Sequence, residues 1–233
     1  MKRSFIEWVQ WRVGRLPRKA QFARHRAIWV GRDLRNGLRI WWELRVRNQP
    51  IRDLTRYERR IDSQNGEDGM LEAIFAKIGC TNRYFVEFGS GNATECNTTY
   101  LVRWKRWRGL WMDAAVSDRR GAVKQERVTA ENVEALFERY RVPKAFDLLS
   151  IDIDGNDYWV WKAITAYRPR VVLIEYNATV PPDESKTIPY DPAFRWDGRT
   201  SFFGASLLAL EALGRQKGYV LVGCDSSATN AFF

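Results

Sequence analysis

Acidic and amide side chains stand in short clusters directly after apolar runs of this sequence. Asp152, Asp154 and Asp157 follow one run, and Glu175 and Asn177 follow the next. Alternate residues of a strand point to the same face, so Asp152 and Asp154 would share one side, as would Glu175 and Asn177. Such oxygen atoms can bind Mg²⁺ or another divalent cation, or act as a general base. We predict a metal site at Asp152, Asp154, Glu175 and Asn177, and a base at Asp152 or Asp154, with Asp157 as third candidate.

A second interpretation of these clusters needs no metal. Asn156 or Asp157 would cap the next helix, and Asp154 would bind only backbone amides. Glu175 would pair with a neighbouring arginine such as Arg170. One carboxylate would still be free to act as a base.

A glycine turn follows an earlier apolar run, at Glu87-Phe88-Gly89-Ser90-Gly91-Asn92. The missing side chains let backbone amides approach a ligand. The turn fails as a dinucleotide fingerprint, because Thr94 stands where the third glycine would be. It fits the ExGxG turn of an S-adenosylmethionine site, with Glu87 near the cationic part of that ligand. The next run ends in Asp113, whose carboxylate could accept bonds from both ribose hydroxyls. An ordinary turn and a helix cap are the alternatives.

The elements that must position these residues follow from the spacing of apolar side chains. From about residue 63, short apolar runs alternate with helical periodicity, which is typical of βα units with a parallel sheet. The carboxyl ends of such strands meet at one edge, so the clusters should lie together. We predict strands at residues 84–88, 110–112, 146–153, 171–174, 219–223 and 230–233, and helices beginning near 68 and at 133–140, 159–164 and 205–216.

Positive charge is concentrated at the start of the chain. Residues 1–60 carry a net charge of +12, whereas residues 61–233 carry −2. The basic segment also holds five of the eleven tryptophans, and helices are predicted around Phe5–Leu16 and Arg24–Val46. We predict a basic, Trp-rich helical arm at 1–60 and one domain at 61–233. The arm could pack on that domain, lie on an anionic membrane surface through residues 1–50, or bind nucleic acid, for which no motif is present.

Composition excludes several classes of protein. The 233 residues are 45% hydrophobic, which is too apolar for a disordered chain. Three cysteines without a CxxC pair exclude a disulfide scaffold, and a single histidine excludes chemistry based on clustered imidazoles. No apolar run reaches the length of a spanning helix, and the start lacks a signal peptide. We predict a cytoplasmic protein, either soluble or peripheral at the inner face of the membrane.

Three segments, taken in order, resemble S-adenosylmethionine-dependent methyltransferases of the Rossmann-like class, nearest to the FkbM-type group. They are Ser63-Gln64-Asn65-Gly66-Glu67-Asp68-Gly69, Phe85-Val86-Glu87-Phe88-Gly89-Ser90-Gly91 and Asp147-Leu148-Leu149-Ser150-Ile151-Asp152-Ile153-Asp154-Gly155. The resemblance covers about Ile61 to the C-terminus. It implies a three-layer α/β sandwich with a mostly parallel sheet and an antiparallel last strand. It also implies methyl transfer, usually to oxygen and often on sugars or secondary metabolites.

The resemblance also implies roles for individual residues. Glu87 and the glycine turn would hold the methionine part of S-adenosyl-L-methionine, Asp113 the ribose, and loop 129–132 would lie near adenine. Asp152 would face the sulfonium and substrate. Ala93 departs from the pattern, because many such enzymes have a third glycine there. The implied cofactor contacts are Gln64, Glu67, Glu87, Gly89, Ser90, Gly91, Asp113, Glu131, Asn132 and Asp152.

An insertion between Ala178 and Phe203 carries turn formers and aromatic residues, as binding loops do. Tyr190 and Trp196 could stack on a sugar or ring, or could pack the loop onto the domain. The sequence thus predicts an O-methyltransferase with a carboxylate base, with or without a metal, acting on a small-molecule or carbohydrate hydroxyl. A non-catalytic binding protein that docks through its basic arm is the alternative. A nucleic-acid substrate is not expected, because the fourth strand lacks the Asn/Asp-Pro-Pro-Tyr/Phe turn.

Overall fold

The computed structural model describes residues 35–116 and 121–233 of the chain. The chain divides into two units, Met1–Pro50 and Ile51–Phe233. In the smaller unit, residues 35–41 are helical and lead into a π-helical turn at Trp42–Val46. The helix predicted around Phe5–Leu16 lies outside the described residues, as does the first part of the one at Arg24–Val46.

The larger unit is built around one sheet. Its strands are β1 Tyr84–Phe88, β2 Arg108–Asp113, β3 Val123–Gln125, β4 Ala145–Ile151, β5 Arg168–Glu175, β6 Gly223–Cys224 and β7 Asn230–Phe232. The helices are α1 Glu67–Ile78, α2 Thr99–Lys105, α3 Val133–Arg139, α4 Asp157–Ala163 and α5 Leu207–Lys217, with a short 3₁₀ turn at Leu54–Tyr57. In the described part of the chain, no helix has both the length and the apolar character needed to cross a membrane.

The strand order is β3-β2-β1-β4-β5-β7-β6. Strands β1 to β5 run parallel, and β7 pairs antiparallel with both β5 and β6. The order reverses between β1 and β4, which lie side by side with Glu87 opposite Ser150. This is the topological switch point, where open α/β sheets bind their ligands. The predicted Rossmann-like α/β fold, with a mostly parallel sheet and an antiparallel last strand, is confirmed.

The core explains why the central strands are continuous apolar runs. Leu148, Leu149, Val172 and Leu173 have no exposed surface, so side chains on both faces of β4 and β5 are covered. The last strand is held in the same core, since the Phe233 ring lies 4.9 Å from that of the buried Trp161.

Several element boundaries differ from the prediction. β4 ends at Ile151, two residues early, and β6 has two residues, whereas a strand at 219–223 was predicted. Residues 219–222 form an apolar run but no strand, and two of them, Val220 and Val222, are 72% and 45% exposed. The short strand β3 was not predicted, since three residues carry too little periodicity. Helix α2 was not predicted either, because its buried residues Thr99, Tyr100 and Leu101 are consecutive and show no helical spacing.

Candidate active site

The glycine turn after β1 lies directly against the residue that follows β4. Gly89 has φ +69°, and a Cβ atom added to it would lie 1.5 Å from the carbonyl oxygen of Asp152. No side chain fits there, so glycine is required at position 89. Gly91 also has a positive φ, +52°, but open space surrounds it. The turn therefore closes the switch point on one side and leaves room for a ligand on the other.

Glu87 is buried, and its carboxylate is surrounded by donors from the chain. It accepts bonds from the backbone N–H of Asn97 at 2.8 Å and of Thr98 at 3.2 Å. The Thr98 hydroxyl donates at 2.5 Å and the Ser150 hydroxyl at 3.3 Å. Burial raises the pKa of Glu87, and the Thr98 hydroxyl opposes the rise. Glu87 therefore organises the loop before α2, while also lining a pocket.

Asp113 joins the glycine turn to the end of β2. Its Oδ2 accepts from the Gly91 N–H at 2.9 Å, and its Oδ1 accepts from the N–H groups of Ala115 and Val116 at 2.8 Å each. Ser90 adds to this junction, since its N–H donates to the Met112 carbonyl at 3.3 Å. Asp113 also lines the larger pocket, where a ligand could reach it. Its contact with a ribose stays a prediction.

Two adjoining pockets lie along the carboxyl edge of the sheet. The smaller, about 280 Å³, lies over the glycine turn, and the larger, about 520 Å³, lies beyond the ends of β2, β4 and β5. Clefts of this size take small-molecule ligands. Both pockets are lined by Gln64, Gly89, Asp152 and Thr229.

Three carboxylates converge in the larger pocket. One oxygen atom each of Asp152, Asp154 and Glu175 lies within 4.8 Å of the others. Oxygen Oε2 of Glu175 is buried, and no donor in the described part of the chain bonds to it. The oxygen-rich donor set fits a hard cation, which would relieve the repulsion among these charges. We call these three residues the carboxylate cluster.

Burial and mutual repulsion govern protonation in the carboxylate cluster. Burial, followed by the charges of Asp152, Asp157 and Asp154, raises the pKa of Glu175 to about 10. Burial and then the Asp157 and Asp154 charges raise the pKa of Asp152 well above its usual value. Burial, then Asp113, raises that of Asp154. At neutral pH the cluster therefore holds a proton on Glu175, or a cation in its place.

The prediction that Asp152 and Asp154 converge as alternate residues of a strand is wrong. Because β4 ends at Ile151, Asp152 and Asp154 are not alternate residues of a strand, and Asp154 has a left-handed φ of +56°. The turn is held by Asp157, whose carboxylate accepts from the N–H groups of Ile153 and Gly155 at 2.9 Å each. Burial raises the pKa of Asp157 to about 6, against these donors. Both oxygens of Asp157 are thus engaged, which favours a structural role over that of a base.

The structure does not support the prediction that Asn177 is a metal ligand. Its amide donates to the carbonyls of Ser201 at 2.7 Å and Phe203 at 2.9 Å. Its Oδ1 accepts from the N–H and the hydroxyl of Thr179. The side chain is buried and closes the base of the insertion, so its oxygen is not available to a cation.

The alternative pairing of Glu175 with Arg170 is also absent. The Arg170 guanidinium lies 3.0 Å from Asp147, a buried carboxylate at the opposite, amino-terminal half of β4. Asp147 also accepts N–H bonds from Thr81, Asn82 and Arg83 in the turn before β1. Arg170 therefore belongs to the far edge of the sheet and leaves the carboxylate cluster without this counter-ion.

The start of α1 supplies the wall opposite the glycine turn. Glu67 accepts from the N–H groups of Asn65 and Gly66, and from the Asn230 amide at 3.0 Å. Burial opposes ionisation, but the backbone N–H groups hold the pKa of Glu67 below its usual value. Asn230 lines the small pocket, yet sequence reasoning missed it. The signal was present, because the antiparallel direction of β7 brings its first residue to this edge.

The residues predicted to lie near adenine do not line the larger pocket. Glu126, Arg127 and Val128 line the larger pocket, whereas Glu131 and Asn132 do not. Asn132 instead fixes its own loop, accepting from the Thr129 N–H at 2.8 Å and donating to the Arg127 carbonyl at 2.9 Å. The segment just before the predicted loop therefore lines the cleft, and the loop itself does not.

Of the two aromatic residues of the insertion that were predicted to contact a substrate, one lines a pocket. Trp196 lines the larger pocket and donates to the Thr200 carbonyl at 2.6 Å. Tyr190 lies outside both pockets, where its hydroxyl bonds to Glu131 and accepts from the Ala130 N–H. Tyr190 therefore packs the insertion onto the domain, which was the alternative given for it.

Comparison with known proteins adds no assignment to this geometry. No protein-family model matches the sequence, and a search of the curated proteins finds no match. The interpretation of the cleft therefore depends on the residues that form it.

Proposed function

We propose that the protein is an S-adenosylmethionine-dependent methyltransferase that methylates the hydroxyl of a small molecule or carbohydrate. The observation that carries this proposal is the meeting of Gly89 and Asp152 at the switch point, beneath two adjoining pockets. A turn that only glycine can form brings backbone amides close to the ligand there. The sheet with its antiparallel last strand is the one implied by the resemblance described above.

The two pockets suggest how the cofactor would be divided. In this proposal the methionine part occupies the small pocket, between the glycine turn and Glu67. The nucleoside extends past Asp113 into the larger pocket, next to Arg127 and Val128. Asp152 lines both pockets and so stands where the reacting methyl group would be.

The carboxylate cluster supplies the chemistry required of the protein. The sulfonium of the cofactor is already activated, so the enzyme must align donor and acceptor and remove one proton. As the methyl group passes from sulfur to the acceptor oxygen, the hydroxyl proton passes to Asp152 or Asp154. Because their pKa values are raised, each of these carboxylates is a stronger base than an ordinary aspartate when it is deprotonated. In the metal-assisted form of the proposal, Mg²⁺ would be held by the carboxylate cluster and would lower the pKa of the acceptor hydroxyl.

Titration calorimetry of the full chain with S-adenosylmethionine tests the proposal. We expect saturable binding to the wild type and roughly tenfold weaker binding to Asp113→Asn, which removes a charged acceptor. Asp183→Asn changes an exposed carboxylate of the insertion and should bind as the wild type does. No heat with folded wild-type protein would exclude a methyltransferase. Binding without turnover of any hydroxyl acceptor would favour the non-catalytic alternative.

A further inference from the structure

The helical segment 35–46 in the smaller unit has two apolar faces. One face is buried, with Ile40 3% and Leu44 1% exposed. The opposite face, which we call the exposed apolar face, consists of Leu38, Trp41, Trp42 and Val46. These side chains are 65%, 50%, 49% and 54% exposed. They are three, four and eight residues apart, so they lie on one side of the helix.

Packing of the helix through Ile40 and Leu44 does not explain why the opposite face is also apolar. An amphipathic helix normally turns charged and polar residues to water opposite its buried stripe. Single exposed apolar residues are common, but a contiguous group marks a surface that meets a partner. Two half-exposed tryptophans in a group of four make the exposed apolar face such a surface.

The charges beside this face indicate the chemistry of the partner. Within residues 35–50 there are four exposed arginines, Arg35, Arg39, Arg45 and Arg47, and one acidic residue, Glu43. The Arg47 guanidinium lies 5.0 Å from the centre of the Trp42 ring. Tryptophan and arginine together are typical of helices at a membrane interface, where the rings enter the headgroup region and the cations meet phosphates.

We propose that the exposed apolar face docks on an anionic lipid bilayer, with the helix lying in the plane of the interface. This interaction is independent of the proposed methyl transfer. Lipid fits better than nucleic acid, because burial of Leu38 and Val46 among acyl chains is favourable, and neither side chain has a ring that could stack on a base. The sequence of residues 1–34 has the same composition, with three further tryptophans and a majority of basic residues among its charges.

Co-sedimentation of the full chain with vesicles tests this surface. We expect binding to vesicles of phosphatidylserine and phosphatidylcholine, weak binding to phosphatidylcholine alone, and weaker binding at high salt. The double change Trp41→Ser and Trp42→Ser should reduce the partition coefficient roughly tenfold or more. Val220→Ser is the matched control, since it removes a 72% exposed apolar side chain from the larger unit.

A charge variant separates the electrostatic part of the interaction. Arg39→Gln should weaken binding to anionic vesicles about fivefold and leave binding to neutral vesicles unchanged. Equal binding of the wild type to both kinds of vesicle would overturn the proposal. So would unchanged vesicle binding by the tryptophan variant, or tighter binding to RNA that survives this variant. Loss of a wild-type dimer in the tryptophan variant would assign the face to self-association instead.

Discussion

The two halves of the carboxyl edge differ in how their acidic residues are paired. In the half that contains the glycine turn, Glu87 and Asp113 each accept three or more bonds from backbone and hydroxyl donors. In the other half, the carboxylate cluster places oxygens within 4.8 Å of one another, and the buried Oε2 of Glu175 has no donor in the described part of the chain. The two halves meet at Gly89 and Asp152.

The difference suggests separate tasks for the two halves. Acids whose charges are satisfied by the chain fix the shape of a loop before any ligand arrives. Acids that repel one another respond to protons, cations and substrate, because each added positive charge relieves the conflict. We therefore expect changes at the glycine turn to alter stability at every pH, and changes in the carboxylate cluster to alter its pH dependence.

Gly89→Ala should have the largest effect. Its Cβ would lie 1.5 Å from the Asp152 carbonyl oxygen, and φ of +69° is unfavourable for alanine. Strain and the displaced backbone together should lower the free energy of unfolding by about 3 kcal/mol or more, measured by urea denaturation.

Gly91→Ala is the matched control for this change. Its φ is also positive, +52°, but no atom lies within 4 Å of the added Cβ. We expect a loss of about 1–2 kcal/mol from the backbone alone. Equal losses for the two variants would contradict the close contact between the glycine turn and the residue after β4.

Strong periodicity made much of the fold predictable. β1 and α3 lie where apolar spacing predicted them, because their buried side chains recur at intervals set by strand and helix geometry. β3 was missed, since three residues with one buried side chain form no pattern. Its position depends on pairing with Trp111–Asp113, a contact between distant parts of the chain.

The sequence predicted which residues form the candidate site better than it predicted how they are arranged. Gly89 and the acids after β4 stood out because residue type and strand end coincided. The roles of Asp157 and Asn177 could not be inferred, because each is decided by its hydrogen-bond partners. Asn230 was missed for a third reason, since its place in the site depends on the direction of β7.

Glu175→Gln should have the second-largest effect, with a strong dependence on pH. The pKa of Glu175 is about 10 in the fold, against 4.5 as its ordinary value. Between these values the folded chain keeps a proton that the unfolded chain releases, so wild-type stability falls as pH rises. The variant lacks this loss, which between pH 4.5 and pH 8 is at most about 5 kcal/mol, and should be at least about 2 kcal/mol more stable than the wild type at pH 8. The two proteins should converge near pH 4, as measured by urea denaturation.

Millimolar Mg²⁺ sharpens the same comparison. If a cation replaces the shared protons of the carboxylate cluster, Mg²⁺ raises the melting temperature of the wild type at pH 8 and leaves Glu175→Gln less affected. If Mg²⁺ leaves the wild-type melting temperature unchanged, while the stability difference between the two proteins still depends on pH, the cluster binds protons and not a cation.

Thr98→Val should have a smaller effect that tests the first half of the edge. The Thr98 hydroxyl donates to Glu87 and accepts from the Trp111 indole N–H at 2.8 Å, so valine of similar shape removes one partner from each. We expect a loss of about 1–2 kcal/mol in urea denaturation. Thr94→Val is the control, since this exposed hydroxyl bonds only locally to Asn92 and its loss should change little.

The same variant distinguishes a structural acid from a binding one. If Glu87 serves mainly to hold the loop before α2, Thr98→Val weakens the fold while the folded protein binds S-adenosylmethionine nearly as well as the wild type. If Glu87 binds the cofactor directly, the lost donor changes the charge that the ligand meets, since the Thr98 hydroxyl opposes the burial-raised pKa of Glu87. Affinity would then fall further than stability. Such a fall in affinity would contradict separate tasks for the two halves, because Glu87 would then bind the ligand, as the carboxylate cluster does.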